Sequence, residues 1–355
     1  MKLRNRFRSL ATENYVQKIG TLSQFGAFLE TKEFKQIMRL RSTLLPLILS
    51  GSAVFAADSA LLNLVMPEAR MVAGMDVERA RDSFLGRKLM EQLDTKHGEF
   101  AKFAEMTGFD PRRDLREVII ATPDANTKNP LALILVRGVF DTGRINGFLK
   151  VAGIAAAENL GGVDFYTKAN AKEDMGFAII DGTLALAGPK EVVRAALRRR
   201  AGAASALTAS TYSKVQSMSK SNDIWAVTSI PVAELSSAMP GGNGAAGGMM
   251  GGDAFKGIEQ AAMGVRFGTE AMELTAETVS KTEKDATGIA DVVRFLATMV
   301  QMNREKPEVK AFAAALDAMK VTTDARTTTL TISLPTAEME QMFKAGSKHG
   351  AAKKI

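Results

Sequence analysis

The stretch from Met38 to Ala56 decides in which compartment this chain folds, and so what can hold it together. Met38-Arg39-Leu40-Arg41 is a short basic start, Thr43 to Leu49 is almost wholly apolar, and Val54-Phe55-Ala56 has the small-x-small pattern that a signal peptidase reads. The apolar core is shorter than the ~20 residues a membrane-spanning helix needs, and Asp58 follows it at once. The segment predicts a cleavable secretory signal, cut between Ala56 and Ala57, with no transmembrane segment in the mature chain and a periplasmic or secreted product. A lipoprotein would need a Cys at the cut, and the chain has none. Residues 1–37 are expected to lie outside the folded protein, either ahead of the true start at Met38 or as a long basic leader.

This division changes the meaning of the charge. The whole chain carries a formal +7, but residues 1–56 hold nine Lys/Arg against three Asp/Glu. What remains is nearly neutral, which removes the electrostatic argument for nucleic acid as a partner. Without Cys there are no disulfides, thiolate nucleophiles or iron–sulfur clusters, so packing alone must stabilise the exported protein.

The patterning predicts an α+β fold. Arg70–Met75, Val118–Ala121 and Leu131–Phe140 read as strands, and Val77–Leu93 as a helix. Gly108 suits a helix C-terminus, Asp110-Pro111 a helix start, and Asp141 a cap for a helix carrying Ile145, Phe148 and Leu149. Phe177–Ile180 and Thr183–Ala187 flank Asp181-Gly182, a type I′ hairpin signal. Further on, Ile224–Ile230 reads as a strand, Met272 to Thr278 alternates, and Ile289–Met302 is an amphipathic helix expected to bury Val292, Val293, Phe295, Leu296 and Met299. Pro307–Met319 reads as another helix, Val321–Leu334 as a closing hairpin and Pro335 as a helix start.

Two segments match position by position. Leu184-Ala185-Leu186-Ala187-Gly188-Pro189 leads to Val193, Ala196 and Leu197; Leu330-Thr331-Ile332-Ser333-Leu334-Pro335 leads to Met339, Met342 and Phe343. The expected architecture is therefore two tandem repeats of a mainly antiparallel sheet with helices packed on one face. Repeat 1 spans 57–205 and repeat 2 spans 206–346, the latter with a Gly-rich loop at 240–252; residues 347–355 read as a disordered tail.

No residue pattern assembles a catalytic, cofactor-binding or metal site, and no cofactor is expected. His97 and His349 lack partners at ligand spacing. Ser217-x-x-Lys220 resembles a Ser-Lys element but has no K-T-G companion. Gly242-x-Gly244-x-x-Gly247 lacks the preceding strand that a dinucleotide site requires. Asp110 and Asp114, beside Arg112 and Arg113, read as helix-end charges. Met299 and Met302 read as core filling rather than Cu(I) ligands. Arg194, Arg198, Arg199 and Arg200 could form an anion patch, although cations closing a helix are the simpler explanation in a nearly neutral chain.

Leu61–Leu89 and Gly108-Phe109-Asp110-Pro111 through Asp114-Leu115 resemble a group of exported bacterial proteins of unknown function. The resemblance implies a signal peptide followed by a repeated α+β unit, and no active residues. The expected function is a non-enzymatic binding or interaction protein of the cell envelope, which holds another protein or an amphiphilic ligand between its sheet and helix layers. The alternatives are an exported hydrolase using carboxylate or Ser-Lys chemistry, and a structural spacer built from repeats.

Overall fold

The computed structural model describes residues 56–84, 86–87, 104–124, 131–167, 175–200, 202, 205–232, 234–235, 255–302, 315 and 317–336. The chain is α+β. The strands are β1 (Met71–Asp76), β2 (Leu115–Thr122), β3 (Leu133–Gly138), β4 (Ala156–Leu160), β5 (Val163–Thr167), β6 (Met175–Ile180), β7 (Leu184–Pro189), β8 (Ile224–Thr228), β9 (Ile258–Arg266), β10 (Ala271–Ser280), β11 (Lys320–Asp324) and β12 (Thr327–Pro335). They join in one 12-stranded sheet, ordered β11-β12-β10-β9-β8-β1-β2-β3-β7-β6-β5-β4, with antiparallel neighbours throughout.

The helices are α1 (Ser59–Leu62), α2 (Val77–Arg81), α3 (Pro111–Asp114), α4 (Thr142–Val151), α5 (Lys190–Arg199), α6 (Ala209–Ser221) and α7 (Glu283–Gln301). Side-chain oxygens of Asp58, Asp76, Asp110, Asp141, Thr208 and Thr282 accept backbone N–H groups in the first turns of α1 to α4, α6 and α7, removing donors a helix start leaves unpaired. Among the described residues no helix is long and apolar enough to cross a membrane.

Strand alternation sends neighbouring side chains to opposite faces of the sheet. Ala178 and Ile180 of β6 join the main core with Val193, Ala196 and Leu197 of α5 and Val215 and Met218 of α6. Phe177 and Ile179 of the same strand join Ile145 and Leu149 of α4 on the other side. In the second half, the Thr328 hydroxyl donates to the Ala286 carbonyl of α7. Thr328 lies across from Thr278, on the pleat opposite Glu277, whose carboxylate receives Lys214 of α6. Helices therefore cover both faces, not one: β3, β6 and β7 are apolar at successive positions, so a single layer would leave half of that surface in water.

The two sequence halves meet at β1 and β8, paired from Met71↔Thr228 to Met75↔Ile224. The ladder extends at both ends, Asp76 N donating to Asp223 O (2.7 Å) and Ser229 N to Arg70 O (2.8 Å). Trp225, 2% exposed, stands opposite Gly74 on one side and Gly264 on the other. A Cβ on Gly74 would sit 2.4 Å from the indole, and one on Gly264 2.2 Å from the Asn222 carboxamide. Both glycines are thus required by close approach, not by backbone angle.

Gly74→Ala is expected to displace the Trp225 ring and to destabilise the protein by about 1–3 kcal/mol, the usual cost of overpacking. Urea unfolding followed by Trp225 fluorescence measures it, since this is the one Trp in the chain.

Candidate functional site

At one end of the main face the apolar rows of β1, β2 and β3 give way to charge. Val72 and Gly74 are followed on that side by Asp76, Ile119 and Ala121 are preceded by Glu117, and Leu133 and Leu135 are followed by Arg137. The strand registers place Asp76 opposite Glu117 and Glu117 opposite Arg137. Asp223, just before β8, completes the row through the backbone bond between Asp76 and Asp223.

Arg79, one turn into α2, organises the centre. Its Nε lies 2.7 Å from Asp76 Oδ2 and 3.3 Å from Asp223 Oδ1, ion-pair contacts too oblique for Nε to hydrogen-bond. Its Nη2 donates to the carbonyls of Ser219 (2.9 Å) and Asn222 (2.8 Å), and Nη1 reaches that of Lys220 (3.4 Å). These are the carbonyls that end α6, where positive charge complements the helix dipole. Asp223, 4% exposed, also accepts the Phe267 N–H, which ties the start of β8 to the end of β9. Burial pushes the Asp223 carboxyl above its ordinary range, against the pull of that hydrogen bond and of Arg79.

Glu117 is left over. Among the described residues no Lys or Arg nitrogen pairs with it, and Oε2 accepts a hydrogen bond from Asp58 N at 3.3 Å. Burial raises its carboxyl to about 7, Asp76 across the strand adds to the shift, and Arg79 only partly offsets it. Arg137, its neighbour in register, turns instead to the Asp58 carboxylate. The segment at Ala57 and Asp58 is bound into the same cluster. Ala57 N donates to Ser219 Oγ (2.8 Å), and Gln216 Nε2 donates to Ala57 O (3.1 Å).

The residues singled out in the sequence lie elsewhere. Arg194 pairs with Glu158 and Glu191 and stacks over Phe165; Arg199 Nη2 donates to Leu64 O and Arg200 Nη2 to Gly161 O, while Arg198 is exposed. Three of the four arginines are thus occupied within the fold. Asp110 caps α3 and pairs with Arg112, and Asp114 pairs with Arg113, bonds that hold both carboxyls below their usual range. Ser217 and Lys220 are exposed on α6. His97, His349, Gly242–Gly247, Met339 and Met342 lie outside the described residues.

The α7 stripe requires correction. Its buried residues are Ala286, Ile289, Ala290 and Ala297, whereas Phe295 is 61%, Met299 45% and Met302 81% exposed. The small residues let α7 lie close to the sheet, and that turns the large side chains at i, i+4 and i+7 outward. Met299 and Met302 are therefore surface residues and not core filling.

No family model matches this sequence, and no curated protein matches it. Among solved structures, three crystal forms of TP0453 are similar, each with 9% identity. Form I has a TM-score of 0.43 and covers 82% of this chain and 99% of that one; form IV has 0.46 with 81% and 97%, and form III 0.47 with 80% and 97%.

Glu117 holds its proton to a higher pH in the folded chain than the ordinary 4.5 of the unfolded one. Its contribution is therefore complete below pH 4.5, declines as the pH rises to about 7, and is level above that. In a chain still carrying residues upstream of Ala57, Glu117→Gln should remove a stability loss of about 3 kcal/mol across that window. Denaturant midpoints of both proteins between pH 4 and 8 give the difference; parallel pH profiles would contradict it.

Proposed function

We propose that the chain is an exported, non-enzymatic binding protein of the cell envelope, working in the periplasm or after secretion once residues 1–56 are removed. The partner is another protein or an amphiphilic ligand. The observation that carries this reading is the outer face of α7 and its C-terminal end, where Phe295, Met299 and the capping Met302 are exposed on one side. Scattered exposed apolar residues are ordinary on a soluble protein, but a continuous stripe of large ones on one helix is a docking feature. The partner would thus lie outside the helix layer and not between helix and sheet. Nucleic acid is disfavoured by the near-neutral charge after residue 56.

We also infer a tandem repeat of one α+β unit, residues 57–205 and 206–346. Several features support it. From the β1–β8 seam the strand order runs outward as β2-β3-β7-β6 on one side and β9-β10-β12-β11 on the other. Each half is then a three-strand meander, a helix on the second face (α4 or α7), and a hairpin whose last strand returns beside the third. The hairpin turns share a positive φ at Asp181 (48°) and Ala325 (45°). Both closing strands end in Pro, Pro189 and Pro335. The β4–β5 hairpin is an insertion in the first copy.

An exported hydrolase remains the second reading, favoured by the meeting of Asp76, Glu117 and Asp223 and by the raised Glu117 carboxyl. Against it, Asp76 caps α2 and Asp223 holds Phe267, both structural tasks. A structural repeat spacer is the third; it would leave the α7 stripe without a role.

Phe295→Glu with Met299→Glu should abolish co-purification of the bound protein or lipid while changing the unfolding midpoint by no more than ordinary surface substitutions, about 0.5 kcal/mol each. Mass spectrometry of the protein purified from envelope extracts reads the result. An unchanged partner in the double variant overturns the α7 face, and a ligand-free monomer from wild type overturns the binding function.

A further inference from the structure

We propose that leader removal makes Ala57 the first residue and that its new α-ammonium group is received in a prepared socket, on Ser219 Oγ with the Glu117 carboxylate beside it. The inference rests on reading residues 38–56 as a cleaved leader. It adds a structural consequence of that cut, a charge pair beside the seam whose cation also keeps the Ser219 bond across it.

Chain ends generally lie exposed and untied. In the unprocessed chain Ala57 is 5% exposed, and both of its backbone polar groups are met by side chains far away in sequence. Its N–H goes to Ser219 Oγ, itself 2% exposed, and its carbonyl accepts from Gln216 Nε2. The hydroxyl of Ser219 also donates to the Gln216 carbonyl (3.2 Å), which fixes its direction. One residue on, Asp58 N reaches Glu117 Oε2 at 3.3 Å. Successive backbone nitrogens are no farther apart than successive Cα atoms, about 3.8 Å, so Ala57 N lies within about 7 Å of that carboxylate, in reach of a small turn of the freed amine.

The surrounding charge argues independently for a missing cation. The cluster around this point holds Glu117 of β2, Asp76 of β1, Asp223 before β8 and Asp58 before α1, against Arg79 of α2 and Arg137 of β3, with Arg266 of β9 near Asp223 but paired with Glu273. Asp181 stands near Arg137 as well. Arg79 is shared between Asp76 and Asp223, and Arg137 is taken by Asp58, so among the described residues Glu117 is the acid of this cluster without a base. A buried carboxylate of this kind is costly unless it is protonated or paired.

Cleavage supplies the pair. A peptidase adds water across the Ala56–Ala57 amide: the C–N bond breaks, the hydroxyl goes to the Ala56 carbonyl carbon, and the freed amine takes up a proton. The neutral single donor on Ala57 N becomes a cation with three donors. One keeps Ser219 Oγ and another turns to Glu117.

The test uses the processed chain purified after export. N-terminal sequencing should begin at Ala57; a different first residue overturns the leader reading and the socket with it. On the same sample, cyanate should carbamylate the Ala57 α-amine about tenfold more slowly in the native state than in urea. That is the effect of a one-unit rise above its usual range of about 7.7–8.0. Glu117→Gln should recover several-fold of that rate, which steric shielding alone would not. Ala57 as the first residue, with an amine reacting equally fast folded and unfolded, overturns the socket and leaves the leader reading standing. If Glu117→Gln does not fold, the wild-type pH dependence of the native rate decides: a midpoint at the ordinary amine value overturns the proposal.

Discussion

The antiparallel pairing of β1 with β8 is the contact on which the rest of this structure depends. It turns two stretches of sheet, distant in sequence, into one, and the main core runs across it without a break from Leu61 and Val72 to Trp225 and Ala262. A strand pair of this length is weak by itself. Here it is held from above by α6, whose Val215 and Met218 pack into the same core, and at one end by Arg79 gripping the last carbonyls of that helix.

Charges at such a seam seldom add net stability, because taking them out of water costs about what their attraction returns. Their effect here is on geometry. Arg79 reaches Asp76, Asp223 and the α6 carbonyls together only if β1 and β8 are in register and α6 ends where it does. A slip of one residue would move Trp225 off its two glycines and turn Val227 to the wrong face. The row of Arg79, Asp76 and Asp223 therefore fixes the alignment, while the apolar core supplies the driving force.

Much of the fold was legible in the sequence because its signals are local. The Asp181-Gly182 turn, the caps at Asp110 and Asp141, the C-terminal Gly108 (φ 75°) and the buried stripe of α5 all follow from residues within one turn of each other. β4 and β9 were not legible: Ala156–Leu160 and Ile258–Arg266 are rich in Ala, Gly and polar residues and owe their strand state to neighbours. The face of α7 was misjudged for a related reason. Periodicity identifies an apolar stripe but cannot tell a sheet-facing row of alanines from an outward row of Phe and Met. The charged cluster was out of reach, since Arg79 sits in a short local helix while its partners Ser219 and Asp223 lie more than a hundred residues on.

The most direct test of this account is native-state hydrogen exchange at the seam. If β1–β8 pairing is the common support, the amides of Val72 and Gly74 in β1 and of Trp225 and Val227 in β8, which the register aims across the seam, should exchange only through global unfolding, at the same free energy as those of Leu135 in β3 and Leu186 in β7. Exchange at the seam through a separate, lower-energy opening, with β3 and β7 still protected, would show that the halves are stable without each other and would contradict the account.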